Sequence, residues 1–128
     1  MNEPTELDAL GQAELVRRGE VEPVELLDRA IERLERVNGA LNAVVTPMYE
    51  QAREAALGRL PEGRFRGVPF LLKDLATAYA GARLTNGATA CQAHVPRHDS
   101  ELVRRYKRAG LVIFGKTDSR RCRCRSLE

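Results

Sequence analysis

Tryptophan is absent from these 128 residues, and three tyrosines with three phenylalanines make up the whole aromatic content. None of these rings lies in the basic tail of residues 119–128, so that tail has no aromatic interleaving on which bases could stack. No apolar run approaches the roughly 20 residues of a membrane-spanning helix. The opening Met-Asn-Glu-Pro-Thr-Glu has neither the basic start nor the apolar centre of a signal peptide. A cytoplasmic protein with no membrane partner is the expectation. An excess of one charge is also missing from most of the chain. The net charge is +3, but residues 119–128 hold four arginines and one glutamate, so residues 1–118 carry 17 basic and 17 acidic side chains. A neutral body offers no folded basic face, which argues against a nucleic-acid partner. Cysteine is scarce, and two of the three, Cys122 and Cys124, lie in those last ten residues. No disulfide framework is implied. Serine occurs only as Ser100, Ser119 and Ser126.

What is present is the composition of a soluble globular chain, 43% hydrophobic and 30% charged, at the length of one compact domain. Leu7 to Arg18 has the apolar spacing of a short helix before Gly19. Pro23 suits a first helical turn, and Val24, Leu27, Ile31 and Leu34 then share one face, with Asn38-Gly39 as the expected stop. Leu41 to Val45 reads as a short extended piece, and Thr46-Pro47 as the N-cap and first position of a third helix that closes at Gly58. A loop with Pro61 and Gly63 follows.

Gly67 to Asp74, Gly-Val-Pro-Phe-Leu-Leu-Lys-Asp, is an apolar run ending in a charged pair. It reads as a buried strand that delivers Lys73 and Asp74 at its carboxyl end, where open α/β sheets place their ligand sites. Pro69, lacking an amide hydrogen, favours an edge or the strand's beginning. Residues 77–97 are weakly patterned and rich in turn formers, the composition of a functional loop. Asp99 is the expected cap of a helix with the stripe Leu102, Val103, Tyr106 and Ala109, and Leu111 to Phe114 is a second buried strand ending at Gly115-Lys116-Thr117. The sum is helices followed by one βαβ unit with a parallel strand pair, which needs cover on both faces.

Three short motifs compete for attention. Gly110 to Thr117 matches the phosphate-loop expression, but the four residues between its glycines are themselves the strand, and a helix precedes where a strand is required. Cys91, His94 and His98 have spacings that zinc could use, with Cys122 or Cys124 to complete four, but Pro96 interrupts the histidine pair. Neither a nucleotide nor a metal is therefore expected, and no cofactor is implied. A small non-catalytic binding module is one alternative, with the basic Cys-Arg tail of residues 119–128 or a zinc cluster as its working part.

Taken together, Gly67-Val-Pro-Phe-Leu-Leu-Lys-Asp-Leu75, Ala80-Gly81, Thr85-Asn86-Gly87, Asp99-Ser100, Ala109-Gly110 and Gly115-Lys116-Thr117 resemble the amidase signature family. The earlier Arg33-Leu-Glu-Arg-Val-Asn38 and Leu41-Asn-Ala43 are similar to that family's N-terminal region. The resemblance implies an α/β fold in which N-terminal helices precede an incomplete βαβ portion of the family's mixed sheet. It implies a hydrolase of carboxylic amides with a Ser, cis-Ser, Lys triad, a small-molecule amide as partner, and Lys73 in the position of the catalytic lysine. That chemistry asks for a neutral amine, and burial is what lowers a lysine's pKa most readily. Within the family, the glutaminase subunit of a tRNA amidotransferase is the alternative.

The chain departs from the family's pattern in places. Ala88 stands where serine is usual, Asp118 for asparagine, and Arg121-Cys122 for an acidic and apolar pair, and there is no Gly/Ser-rich stretch to carry the two serines. The reading is therefore residues 1–118 as the N-terminal part of an amidase signature domain, with 119–128 as an aberrant basic tail. Such a tail fits a coding sequence truncated by a one-base shift near the Ser119 codon.

Overall fold

The longest helix is fixed by its own sequence at the start and by the strand that follows it at its end. The structure, a computed structural model, describes residues 3–119. After a 3₁₀ turn at Pro4–Glu6, helix α1 spans Ala9–Arg17, with the Asp8 carboxylate accepting from the Gly11 amide at 2.8 Å. Helix α2 spans Pro23–Leu41, opened by Pro23 and by the Glu22 amide donating to Glu25 at 2.9 Å. It does not stop at Asn38-Gly39. Asn38 instead clamps the following strand, its Nδ2 donating to the Val44 carbonyl at 3.0 Å and its Oδ1 accepting from the Val44 amide at 2.9 Å. The helix ends at Asn42, held left-handed at φ 48°, a conformation asparagine tolerates.

Strand β1 spans Val44–Pro47, helix α3 Tyr49–Leu57, strand β2 Pro69–Lys73, helix α4 Glu101–Arg108 and strand β3 Val112–Thr117, with a 3₁₀ turn at Thr89–Cys91 in the long loop. Thr46 and Pro47 thus belong to a strand and not to a helix cap. They pair with Lys116 and Gly115 of β3, partners far along the chain that local pattern cannot reveal. The sheet has the order β1-β3-β2, with β2 parallel and β1 antiparallel to β3. The parallel pair follows from the sequence pattern and a mixed sheet from the family resemblance; which segment runs antiparallel does not. Pro69 opens β2 at the edge, where its missing amide costs no ladder bond.

Both faces are covered. Leu27 and Ile31 of α2, Ala52 and Ala56 of α3, and Val112 and Phe114 of β3 form one cluster. Met48, Leu72, Ala82, Val103 and Ile113 form the other, so α4 and the loop before it close the opposite side. Ala13, Val68 and Leu111 make a third, small cluster that seats α1. The described residues include no helix long and apolar enough to cross a membrane. Residues 120–128, with Cys122, Cys124 and the arginines of the tail, lie outside the described residues.

Helix α4 begins one residue later than its sequence suggests, and Ser100 is its cap, the Oγ accepting from the Val103 amide at 3.3 Å. Asp99 faces the loop instead, accepting from the Ala80 amide at 2.8 Å and from Lys107 Nζ at 2.7 Å. Burial pushes the Asp99 carboxyl up, but Lys107 and the Ala80 amide outweigh it and hold the group below its ordinary value. Ser100→Ala is expected to remove about 1 kcal/mol of stability, the usual worth of a serine cap, as a lower urea midpoint at unchanged slope.

Candidate functional site

The parallel strands β2 and β3 finish side by side, Lys73 opposite Thr117. The Asp74 amide donates to the Thr117 carbonyl at 3.0 Å, and the Thr117 hydroxyl to the Leu72 carbonyl at 3.3 Å, so the two carboxyl ends are tied together. Strand alternation then sorts the side chains. Leu72 and Asp74 point into the protein and are buried, whereas Lys73 between them is exposed. That divergence is what alternation along an extended chain dictates for neighbouring residues. The buried amine expected at Lys73 is not found: its side chain is exposed, on the side of the strand away from Leu72 and Asp74. Lys73 Nζ has no hydrogen bond or ion pair among the described residues.

The fully buried lysine is Lys116, at 0% exposure the largest wholly enclosed side chain among the described residues. A bulge puts it there. Phe70 pairs with Ile113 and Leu71 with Gly115, so Phe114 is an extra residue in β3. Without that residue Lys116 would continue the face of Val112 and Phe114, under α2 and α3. With it, Lys116 pairs with Leu72 and turns to the opposite face, the one covered by the long loop and α4. Gly115 makes the bulge possible, since a Cβ there would stand 3.0 Å from Val44 Cγ1 and 3.2 Å from Leu71 Cδ2. The Gly-Lys-Thr that imitates a phosphate loop is thus a bulged central strand. The strand runs on past the apolar residues to Thr117, because the pairing of Lys116 with Leu72 and of Thr117 with Lys73 carries the ladder through the polar end.

Around Lys116 the loop is heavily bonded. Lys116 Nζ donates to the Thr77 carbonyl at 3.2 Å, and the Thr77 hydroxyl donates to the Lys73 carbonyl. Asp74, 1% exposed, accepts from the Thr85 amide at 3.0 Å and from the Thr85 hydroxyl. Ala76, at φ 56°, donates its amide to Asn86 Oδ1 at 2.9 Å. Further along, Gly81 and Leu84 bond to the Pro96 and His94 carbonyls, each at 3.0 Å. A cleft of about 210 Å³ opens here, lined by Asp74, Arg83, Thr85, Gly87, Ala88 and Asp118. It lies beyond the carboxyl ends of β2 and β3, but Lys73 is not among the residues that line it. Cys91, His94 and His98 assemble no metal cluster, and none of three or more ligating groups exists among the described residues.

Burial holds the Lys116 ammonium below the ordinary lysine value of 10.5, with the nearby Asp74 charge acting in the other direction. Between that lowered value and 10.5, the folded chain carries fewer protons at Lys116 than the unfolded chain, so stability rises with pH across the window. Tyr49 does the reverse at higher pH. Burial and its hydrogen bond to Glu35 push the phenol from 10.0 up to about 12, so its contribution is present below pH 10 and lost between 10 and 12. Urea midpoints against pH should therefore climb and then fall. Lys116→Met is expected to flatten the climb and Tyr49→Phe the fall.

Comparison with known proteins matches residues 25–122 to the family model described as Amidase. The chain is 41% identical over 114 residues to the 6-aminohexanoate-cyclic-dimer hydrolase of Paenarthrobacter ureafaciens, covering 88% of this chain and 23% of that protein. It is 32% identical over 105 residues to a glutamyl-tRNA(Gln) amidotransferase subunit of Halothermothrix orenii, covering 82% of this chain and 22% of the relative. The solved structure of a 6-aminohexanoate cyclic dimer hydrolase complexed with substrate superposes with a TM-score of 0.80 at 40% identity, over 88% of this chain and 23% of the other. The chain thus spans about a quarter of the length of the relatives it matches.

Proposed function

This chain belongs to the amidase signature family, and from that premise we propose that it serves the hydrolysis of carboxylic amide C–N bonds, with Lys73 as the base of a Ser, cis-Ser, Lys triad. The observation that carries the reading is the placement of Lys73 at the carboxyl end of β2, next to the end of β3 and within the matched segment. In this mechanism the neutral Lys73 amine accepts a proton from a bridging serine while that serine accepts one from the nucleophile. The nucleophile's oxygen bonds to the amide carbonyl carbon, and backbone amides hold the oxyanion. Collapse breaks the C–N bond, the relay returns a proton to the leaving amine, and water then releases the acid.

Within residues 3–119 neither serine fits the other two roles. Ser100 caps α4, and Ser119 is buried with its Oγ unpartnered among the described residues. The proposal therefore assigns this chain the base and leaves both triad serines to other sequence, which would also provide the cover that Lys73 lacks here. A second reading keeps the chemistry and changes the substrate: the likeness to the amidotransferase favours the amide of glutamine.

A chimera tests the proposal. This chain, placed in the Paenarthrobacter ureafaciens hydrolase in exchange for the segment it matches, is expected to give a folded enzyme that opens the cyclic dimer. A folded chimera that cleaves neither that dimer nor glutamine would sink both readings.

A further inference from the structure

Lys116 is, with Asp74, one of two buried titratable groups among the described residues that the proposed mechanism leaves unused. A lysine enclosed in a sheet layer is costly to desolvate, and a chain retains one without that cost only when its head meets a partner. Here the head meets the Thr77 carbonyl at 3.2 Å, and it does so only because a bulge at Phe114 and Gly115 turns Lys116 to the loop face. Thr77 is the far end of the turn that leaves β2, and its hydroxyl returns to the carbonyl of Lys73. Lys116, Thr77 and Lys73 thus form two links of one chain, running from the central strand to the residue assigned as base. Asp74 lies on the same side and is fully engaged by Thr85, so its carboxylate steadies Lys116 through space without forming a direct ion pair.

We propose that Lys116 is a positioning residue for Lys73: by holding the Thr77 carbonyl against the sheet, it fixes the turn 74–77 and so the backbone from which Lys73 projects. The significance for catalysis rests on the reading of Lys73 given above; the anchoring itself does not.

Amide hydrogen exchange and side-chain NMR on the 128-residue chain test it without any turnover. In Lys116→Met, which fills the space but donates nothing, exchange at the Ala76 and Thr85 amides is expected to accelerate about tenfold or more, whereas Val112, bonded to the Val68 carbonyl at 2.8 Å, stays protected. The Lys73 Cε and Hε signals should shift or broaden in the same variant. Thr77→Val, which breaks the second link, should reproduce the effect at Lys73, and Thr77→Ser, which keeps the hydroxyl, should restore the wild-type spectrum. Unchanged exchange at Ala76 and Thr85, or Lys73 signals indifferent to both substitutions, would overturn the proposal. Should Lys116→Met fail to fold, the Thr77 pair decides: wild-type Lys73 signals in Thr77→Val would overturn it. An inactive chimera refutes the amidase reading and leaves these measurements standing, so the two failures are distinguishable.

Discussion

Lys73→Ala in the chimeric hydrolase is expected to lower kcat by about 10²–10⁴-fold, the range that a positioned proton acceptor contributes, with KM close to that of the unsubstituted chimera. The split follows from the role assigned. A base acts on the proton that moves in the transition state and does not hold the ground-state amide, so its loss falls on kcat and kcat/KM alike. Arginine should not rescue. Its guanidinium keeps its proton at any working pH and cannot accept another, although it preserves charge and length. A Lys73→Arg chimera with near-normal turnover would show that position 73 supplies a cation for substrate binding, and the triad assignment would fall. Asp74 is the control at the neighbouring residue. It is buried on the opposite side of β2 and bonded to Thr85, so Asp74→Asn should act mainly on stability and loop order.

Gly110→Ala is expected to destabilise the fold by about 3 kcal/mol or more, through strain at a left-handed residue together with a clash. Gly110 sits at φ +90° where α4 turns into β3, and a Cβ there would stand 2.4 Å from Arg66 Cα and 2.9 Å from Arg66 N. Neither atom belongs to a side chain that can rotate away. The Gly110 carbonyl also accepts from the Gly67 amide at 2.9 Å, so the two segments that lead into β2 and β3 are pressed together at this point. Their separation would undo the parallel register that sets Lys73 beside Thr117. Gly39→Ala is the contrast. Gly39 lies inside α2 with nothing within 4 Å of its added Cβ, and alanine there should stabilise by about 0.5–1 kcal/mol. Urea midpoints of the two variants should move in opposite directions; equal shifts would contradict the structure.

The elements whose signals are local were legible in advance. The stripe of Leu27, Ile31 and Leu34 marks α2, and the apolar run before Lys73 and Asp74 marks β2. A helix between two buried strands implies their parallel pairing, and the ordered motifs around Lys73 point to the family. The features that escaped are those fixed by contacts between elements and not by the local pattern of one element. Asn38-Gly39 reads as a helix stop, yet Asn38 is held helical while its side chain clamps Val44. Thr46-Pro47 reads as a cap, yet it is drawn into a ladder with Lys116 and Gly115. Between the neighbouring acceptors Asp99 and Ser100, the loop takes the first through the Ala80 amide and leaves the second to cap α4.

The sequence by itself determined the helical periodicity, the parallel pair and the delivery of Lys73 to its carboxyl end, because periodicity and strand alternation are properties of consecutive residues. Tertiary structure alone decided which lysine is buried. A strand's alternation predicts facing only while its register is unbroken, and the extra residue at Phe114 breaks it, exchanging the sides of every residue that follows. That single step carries Lys116 from the α2 and α3 face into the loop that bears the Thr77 carbonyl, while Lys73, which local pattern singled out, stays on the outside.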